Sequence, residues 1–387
     1  MPRAPLWTAA GTLARPQADG RLECVACAHG CVLGDGQTGR CGVRHRDGDR
    51  LLVPFGYVAA RHVRPIETNT VYHVIPGAAA LTFGMFGCDL ACPYCQNARI
   101  SQALRDGGDI DPIPMTASAL VDEAVAAGCG AVCAAYNEPM IAAEWVRAVF
   151  SAARARGLVT VVVSDGNTTA EALAYLRPAA DVYRVDLKGF TEPQYIHLGG
   201  RLATVLAAIG TARALGYWVE VVTLVVPGFN DDLAGLRGLA RTLAAIDPAM
   251  PWHLNAFQPR YRWRDRPPQS AALLVTAAGS AYARGLRHVY VGNVSDRVSA
   301  LEQTRCPACH AVLVTRQNYR VLDVRLVDGR CPDCGAAVAG LWAAPERAAA
   351  AADRGKEAGG PAYPHRDIDA NSPHCVEFTD GRTIAER

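Results

Sequence analysis

Gly87-Cys88-Asp89-Leu90-Ala91-Cys92-Pro93-Tyr94-Cys95-Gln96-Asn97 follows directly on the apolar run Ala80–Phe86. The run reads as a buried strand, and the three cysteines fall in the loop after it, in a C-x3-C-x2-C pattern. Thiolates favour iron–sulfur clusters or zinc over hard cations. Three thiolates at this spacing suit three corners of a [4Fe–4S] cube. The absent fourth ligand leaves one metal position open, as catalytic sites require. A zinc knuckle or a set of structural thiols is the competing reading.

The stretch resembles the signature of the radical S-adenosylmethionine (SAM) superfamily, in which an aromatic residue precedes the last cysteine. Tyr94 fills that place.

The chain has 387 residues, half of them apolar, enough for one large domain with appendages. A formal charge of +2 does not advertise a polyanionic partner, so no nucleic acid is expected. No apolar run approaches the ~18–20 residues that span a bilayer, and Met1–Gly20 lacks a hydrophobic signal core. A cytoplasmic protein with no membrane partner is the expectation. Eleven of the 14 cysteines cluster at Cys24–Cys41, Cys88–Cys95 and Cys306–Cys334, which reads as metal binding and not as a disulfide framework.

Four regions are expected: an N-terminal Cys-rich β region (1–77), a core (78–300), a ribbon-like module (301–342) and a flexible tail (343–387) that holds His374 and Cys375. In the first region, Cys24, Cys27, Cys31 and Cys41 suit loops around one metal, either zinc or an iron–sulfur cluster, with unliganded thiols as the alternative. His29 beside them reads as a ligand or as a group supporting one. In the third region, Cys306-x2-Cys309 and Cys331-x2-Cys334 flank a β-like stretch. This is a zinc-ribbon pattern whose four thiolates leave no open position, so its expected role is structural.

The core alternates β-branched runs with Ala- and Leu-rich amphipathic stretches. Strands are expected at 80–86, 131–136, 159–164, 181–188, 218–225 and 252–257, with helices near 115–128, 140–156, 169–177, 201–214, 231–246 and 271–285. A further short strand covers 288–293. Repeated β-then-α units demand parallel strands joined by crossover helices. The fold class is therefore α/β. Six units match the partial (β/α)6 TIM-type barrel that the resemblance implies, and in barrels chemistry gathers at the C-terminal strand ends.

The strand ends supply the remaining candidates. Tyr136-Asn137-Glu138-Pro139 stands where the superfamily has a Gly-Gly-Glu-Pro-like segment that holds the SAM amino group. Its glycines are replaced here, and the segment also reads as a helix start. Ser164-Asp165-Gly166-Asn167 offers hydroxyl and amide groups, or a cap and turn. Asp186 and Lys188 point the same way from their strand, as site groups or as an ion pair. Pro227-Gly228-Phe229-Asn230-Asp231 is mostly cap chemistry. His253 and Asn255 alternate with apolar residues, although a lone strand histidine is more often a satisfied core group. Arg260–Arg264 is basic and aromatic, suited to an acidic substrate or to solvent. The resemblance implies that Tyr94, Asn137, Glu138, Ser164, Asn167, Asp186, Lys188 and His253 contact SAM, and that Cys88, Cys92 and Cys95 carry the [4Fe–4S] cluster.

The Cys24–Cys41 set, the Cys95-Gln96-Asn97 core motif and the Cys306–Cys334 ribbon ending at Gly340-Leu341-Trp342 together look like the AmmeMemoRadiSam-system radical SAM enzymes. These are related to pyruvate formate-lyase activating enzymes. The likeness covers residues 21–342. It implies reductive cleavage of SAM to a 5′-deoxyadenosyl radical that abstracts hydrogen from a protein, peptide or small-molecule substrate. It also implies an electron donor such as flavodoxin or ferredoxin, and association with Memo-like and AMMECR-like proteins. A metal-dependent scaffold without catalysis is the reading from a different class.

Overall fold

The computed structural model describes residues 7–294 and 299–344; nearly all of the expected tail, with His374 and Cys375, lies outside them. Eight strands form the main sheet in strict chain order: β1 (Ala60–Pro65), β2 (Ala79–Gly84), β3 (Ala131–Ala134), β4 (Val159–Ser164), β5 (Val182–Asp186), β6 (Trp218–Val225), β7 (Trp252–Ala256) and β8 (Val289–Gly292). β2 to β8 are parallel, and β1 adds to β2 antiparallel over Ala60–Gly84 to Pro65–Ala79. The strands expected from the hydrophobic runs are all present, and the short run at 288–293 supplies a seventh parallel strand. β1 comes from the region assigned by sequence to the N-terminal part, so the main sheet begins before residue 78.

Helices α1 (Ala117–Ala126), α2 (Ala143–Ala155), α3 (Ala170–Leu176), α4 (Glu192–Leu198), α5 (Leu202–Ala214), α6 (Leu233–Ile246) and α7 (Ala271–Tyr282) fill the connections. With every strand added on the same side of its predecessor, right-handed crossovers put all these helices on one face. Their apolar stripes bury Trp145, Val149, Leu173, Ile209, Leu239 and Leu274 against it. Caps set their starts: the Thr116, Thr169 and Asp232 side chains accept from Ala119, Ala172 and Gly235 amides, and Thr191 and Gln194 form a capping box.

The opposite face has its own core of Ile66, Val71, Val74, Ala131, Val159, Val161 and Val182. Being buried on both faces explains why the strands read as continuous Val and Ala runs and not as alternation. The segment after β1 covers this face and pairs onward with the C-terminal module through Val74 and Leu341. That module is an antiparallel sheet of β9 (Thr304–Arg305), β10 (Val312–Gln317) and β11 (Arg320–Val324). The Arg316 guanidinium, fully buried, donates to the Tyr72 carbonyl at 2.6 Å and to Thr304 Oγ1 at 2.7 Å and lies 4.3 Å over the Tyr72 ring. The N-terminal segment is fastened to α2 by a buried bidentate pair, Arg44 to Glu144, at 2.9 and 2.7 Å.

Candidate functional site

The three core cysteines sit on the loop leaving the C-terminal end of β2, the place where parallel α/β sheets collect chemistry. Cys92 is buried, and Cys88 and Cys95 are half-buried. Gly87 starts the loop at φ +92°, and a Cβ there would stand 2.8 Å from the Cys41 carbonyl oxygen, so both conformation and space call for glycine. Arg105 closes the loop from behind, donating to the carbonyls of Leu90 at 2.6 Å and Cys88 at 2.7 Å. Burial pushes the Cys92 thiol up to about 12, with the Lys188 ammonium acting against that. Cys88 is raised too, first by burial and then by the charge of Asp165. A thiol raised this way stays protonated unless a cation compensates its charge.

Three carboxyls converge beside Cys88. Cys88 Sγ, Asp89 and Asp165 present ligand atoms within 4.8 Å of one another. Glu138 lies next to them: its Oε2 accepts from the Asp165 amide at 2.7 Å, and its Oε1 accepts from the Met140 amide and from Ser164 Oγ, both at 2.9 Å. All three are buried, at 0%, 6% and 3% exposure for Asp89, Asp165 and Glu138. Burial raises each one, and their mutual charges add to it, with Asp89 reaching about 6. Repelling buried carboxyls are relieved by a cationic ligand.

Around this centre the structure gathers most of the candidates. Asn167 Nδ2 donates to Asp89 Oδ2 at 2.8 Å. Lys188 Nζ pairs with Asp186 at 3.0 Å, and the Asp186 carboxylate also receives Arg184. Asn137 Oδ1 accepts from the Met85 amide at 2.9 Å, tying the β3 end to the β2 end. Tyr94 is buried with its hydroxyl unpartnered, and its ring meets Trp263 at 5.3 Å and Phe229 at 6.0 Å. Trp263 belongs to the Arg260–Arg264 loop, which reaches the cysteine loop by the Arg262 amide donating to the Pro93 carbonyl.

One candidate lies elsewhere. His253 does not join the centre. It is the second residue of β7, well before the strand end, and its Nε2 is 2.7 Å from Glu220 Oε2 in a buried pair. The altered glycine position is explained by backbone geometry: Tyr136 holds φ +71°, a conformation natural to glycine, and its hydroxyl lies 3.2 Å from His62 Nδ1. The Glu138 carboxylate does cap the short helical turn Pro139–Ala142, so the helix-start reading holds as well. Asp89 and Asp165 were not singled out from sequence. Their positions, directly after the first cysteine and directly after β4, were the available signal.

The C-terminal four cysteines meet as expected of one site. Cys306, Cys309, Cys331 and Cys334 lie within 4.8 Å of one another, with Cys306–Cys334 and Cys309–Cys331 both at 3.6 Å. Four thiolates ~2.3 Å from one tetrahedral ion stand ~3.8 Å apart, so the set fits a single ion. Iron also accepts four thiolates, and the geometry does not choose between iron and zinc.

The sequence model of the radical SAM superfamily matches residues 83–237. An uncharacterized protein of Methanocaldococcus jannaschii is 30% identical over 321 residues, covering 82% of this chain and 95% of that protein. The chain belongs to the radical SAM superfamily. Membership implies an enzyme that uses a [4Fe–4S] cluster and SAM. Among solved structures, a domain of a pyruvate-formate lyase-activating enzyme from Bacteroides vulgatus is similar at 16% identity and a TM-score of 0.38, over 42% of this chain and 99% of that one. Escherichia coli QueE is similar at 12% identity and 0.40, over 61% and 92%. Streptococcus suis SuiB bound to its precursor peptide SuiA is similar at 11% identity and 0.44, over 59% and 51%. Among the described residues no helix is long and apolar enough to cross a membrane.

Proposed function

We propose that this radical SAM protein activates or modifies a protein or peptide, in the manner of the glycyl-radical activases and as a member of the AmmeMemoRadiSam group. The observation that carries the catalytic part is Cys88 gathered with Asp89 and Asp165, with Glu138 bonded to the Asp165 amide and Cys92 and Cys95 on the same loop, at the C-terminal ends of β2, β3 and β4. Cys88, Cys92 and Cys95 are the ligands of the [4Fe–4S] cluster. A [4Fe–4S] cluster held there would supply, with SAM and one electron, the reductive cleavage that gives methionine and a 5′-deoxyadenosyl radical.

The chain's own groups bind and orient. SAM carries a sulfonium and an ammonium, the cationic ligand that Glu138, Asp89 and Asp165 lack. Glu138 has spent three acceptor positions on Met140, Ser164 and Asp165, which fixes its carboxylate and leaves one lone pair for the ammonium. Asn137, Ser164 and Asn167 hold the strand ends around it. Asp186 and Lys188 face the SAM ribose and carboxylate from β5. Tyr94, Phe229 and Trp263 form an apolar wall suited to an adenine ring and to exclusion of water. The sheet with its helices is a partial barrel, its mouth bounded by these loops. The C-terminal cysteines hold structural zinc. A flavodoxin or ferredoxin is the electron donor, and Memo-like and AMMECR-like proteins are partners in the cytoplasm.

The test is 5′-deoxyadenosine formation by anaerobically reconstituted protein with reductant and SAM. Wild type forms it, and Cys92→Ala does not. A reconstituted cluster that binds SAM yet shows no cleavage with any reductant or candidate partner would sink the reading. Partner proteins are then added and protein radicals sought by electron paramagnetic resonance. Turnover of a small metabolite with no protein radical moves the substrate class to small molecules.

A further inference from the structure

The N-terminal cysteines behave differently from the C-terminal ones. All four are free thiols, and Cys24, Cys27 and Cys41 are buried while Cys31 is half-buried. Cys27, Cys31 and Cys41 all neighbour Cys24, so the four share one region. Yet no three of them come within the 4.8 Å that gathers Cys306, Cys309, Cys331 and Cys334. A single tetrahedral ion needs its thiolates closer than that. A multi-iron cluster does not, because each thiolate binds a different iron at the corner of a cube.

The set is also laid directly on the radical loop. Cys27 bridges to Thr168, the Ala28 amide donates to the Asn167 carbonyl at 3.0 Å, and Thr168 Oγ1 donates to the Ala26 carbonyl at 3.2 Å. His29 Nε2 reaches the Asp89 carbonyl at 3.2 Å, and Asp89 adjoins Cys88. On the other side, the Cys41 carbonyl fills the space where Gly87 lacks a side chain. One guanidinium, that of Arg105, donates to both the Arg40 and the Cys88 carbonyls, at 3.1 and 2.7 Å. A folding role alone does not require the four cysteines to be placed against the one loop that must receive electrons.

We propose that Cys24, Cys27, Cys31 and Cys41 ligate a second iron–sulfur cluster that passes electrons to the cluster of Cys88, Cys92 and Cys95. This rests on the function proposed above. One electron enters from a low-potential donor of the flavodoxin or ferredoxin class, crosses to the radical loop, and is consumed as the sulfonium C–S bond breaks to methionine and the 5′-deoxyadenosyl radical.

The full chain with Cys88, Cys92 and Cys95 all changed to Ala tests the site without touching its ligands. After anaerobic reconstitution this variant is expected to hold about four irons and as many sulfides per chain, with a cluster signal in Mössbauer spectra. Zinc there, or loss of all iron, overturns the proposal. The Cys24/Cys27/Cys31/Cys41→Ala variant tests the role, with metal retained at Cys306–Cys334 and an unchanged circular dichroism spectrum as the check on folding. Reduction of its remaining cluster by reduced flavodoxin is expected to slow at least tenfold. Reduction at the wild-type rate overturns the relay. In reduced wild type, magnetic coupling between the two clusters broadens the resonance, and either variant removes it. Iron absent only from the first variant refutes the second cluster and leaves the SAM reading standing. Iron absent only from the second refutes the SAM reading instead.

Discussion

The backbone amide of Asp165 donates to Glu138 Oε2 at 2.7 Å, joining the end of β4 to the end of β3 across the candidate site. The bond, with those from the Met140 amide and Ser164 Oγ, fixes the Glu138 carboxylate beside Asp165. It also holds the Asp165 carboxyl within reach of Cys88, whose Sγ lies 3.9 Å from Asp165 Oδ2. A carboxylate held this way is pre-organised for a cation and costs little to position.

Glu138→Gln therefore keeps much of the packing and removes the charge. A hydrogen bond to a charged group contributes about 1.5–3 kcal/mol, so SAM affinity is expected to fall about ten- to hundredfold. Calorimetric titration of the reconstituted variant checks this. The cluster absorbance should be unchanged, because Glu138 is not a cluster ligand; a variant that binds SAM as tightly as wild type removes Glu138 from the site.

The C-terminal module should depend on its ion. Cys331 is buried and Cys334 exposed, so a chelator reaches the site from the Cys309–Cys334 side. Cys331→Ser is expected to lose one metal per chain and to lower the melting temperature, because Val338, Leu313 and Cys306 pack around that thiol. Because Arg316 of this module is lodged against Tyr72 under the main sheet, the loss should reach the core. Metal analysis and a melting curve of the same sample decide it. Metal loss with no change in melting temperature would mean that the ion does not support the fold.

Much of this was legible in the residues because local physics and final structure agree. The apolar runs at 131–134 and 159–164 suit strands buried on both faces. The helices expected near 115–128, 169–177 and 231–246 lie at Ala117–Ala126, Ala170–Leu176 and Leu233–Ile246. The C-x2-C pairs at 306–309 and 331–334 predict their own convergence. What was not legible depends on contacts between distant segments. Nothing near residue 60 says that Ala60–Pro65 extends the main sheet, since an edge strand needs only one partner. Nothing in Trp252–Phe257 says that His253 has a buried glutamate 33 positions earlier in the chain, since register between β6 and β7 sets that pair. The docking of Cys24–Cys41 on the radical loop is likewise a tertiary fact, signalled in sequence only by Gly87.

The Glu220–His253 pair gives a pH prediction. Glu220 accepts from His253 Nε2 at 2.7 Å, from the Tyr72 and His73 amides at 3.0 and 2.9 Å, and from Trp218 Nε1 at 3.1 Å. Burial alone would raise this carboxyl; the His253 hydrogen bond and the other donors outweigh it and hold Glu220 down to about 2. An acid depressed in the folded state stabilises the fold above its unfolded value and loses that contribution as pH falls through the folded value. The window here is from about 4.5 down to about 2, and the contribution is about 3 kcal/mol. Denaturant titrations across this range should show wild type losing that stability. Glu220→Gln should be weaker at pH 7 and flatter with pH. A variant with the same slope as wild type would place the acid sensitivity elsewhere.

The pair of Arg44 and Glu144 makes the last prediction, because it joins the N-terminal cysteine region to α2. Arg44 is 1% exposed and Glu144 7%, and the carboxylate also accepts from the Thr12 amide at 3.0 Å and the Leu13 amide at 3.3 Å. Removing one partner leaves the other charged, buried and unpaired, which costs about 3–5 kcal/mol, far more than a surface pair. Arg44→Met is thus expected to lower the unfolding free energy by that amount. Arg44→Met with Glu144→Gln should recover part of it, since the buried charge is then gone from both sides and the Thr12 and Leu13 amides keep an acceptor. If the single and double variants were equally unstable, the damage would lie in lost packing around Arg44 and not in the unpaired carboxylate.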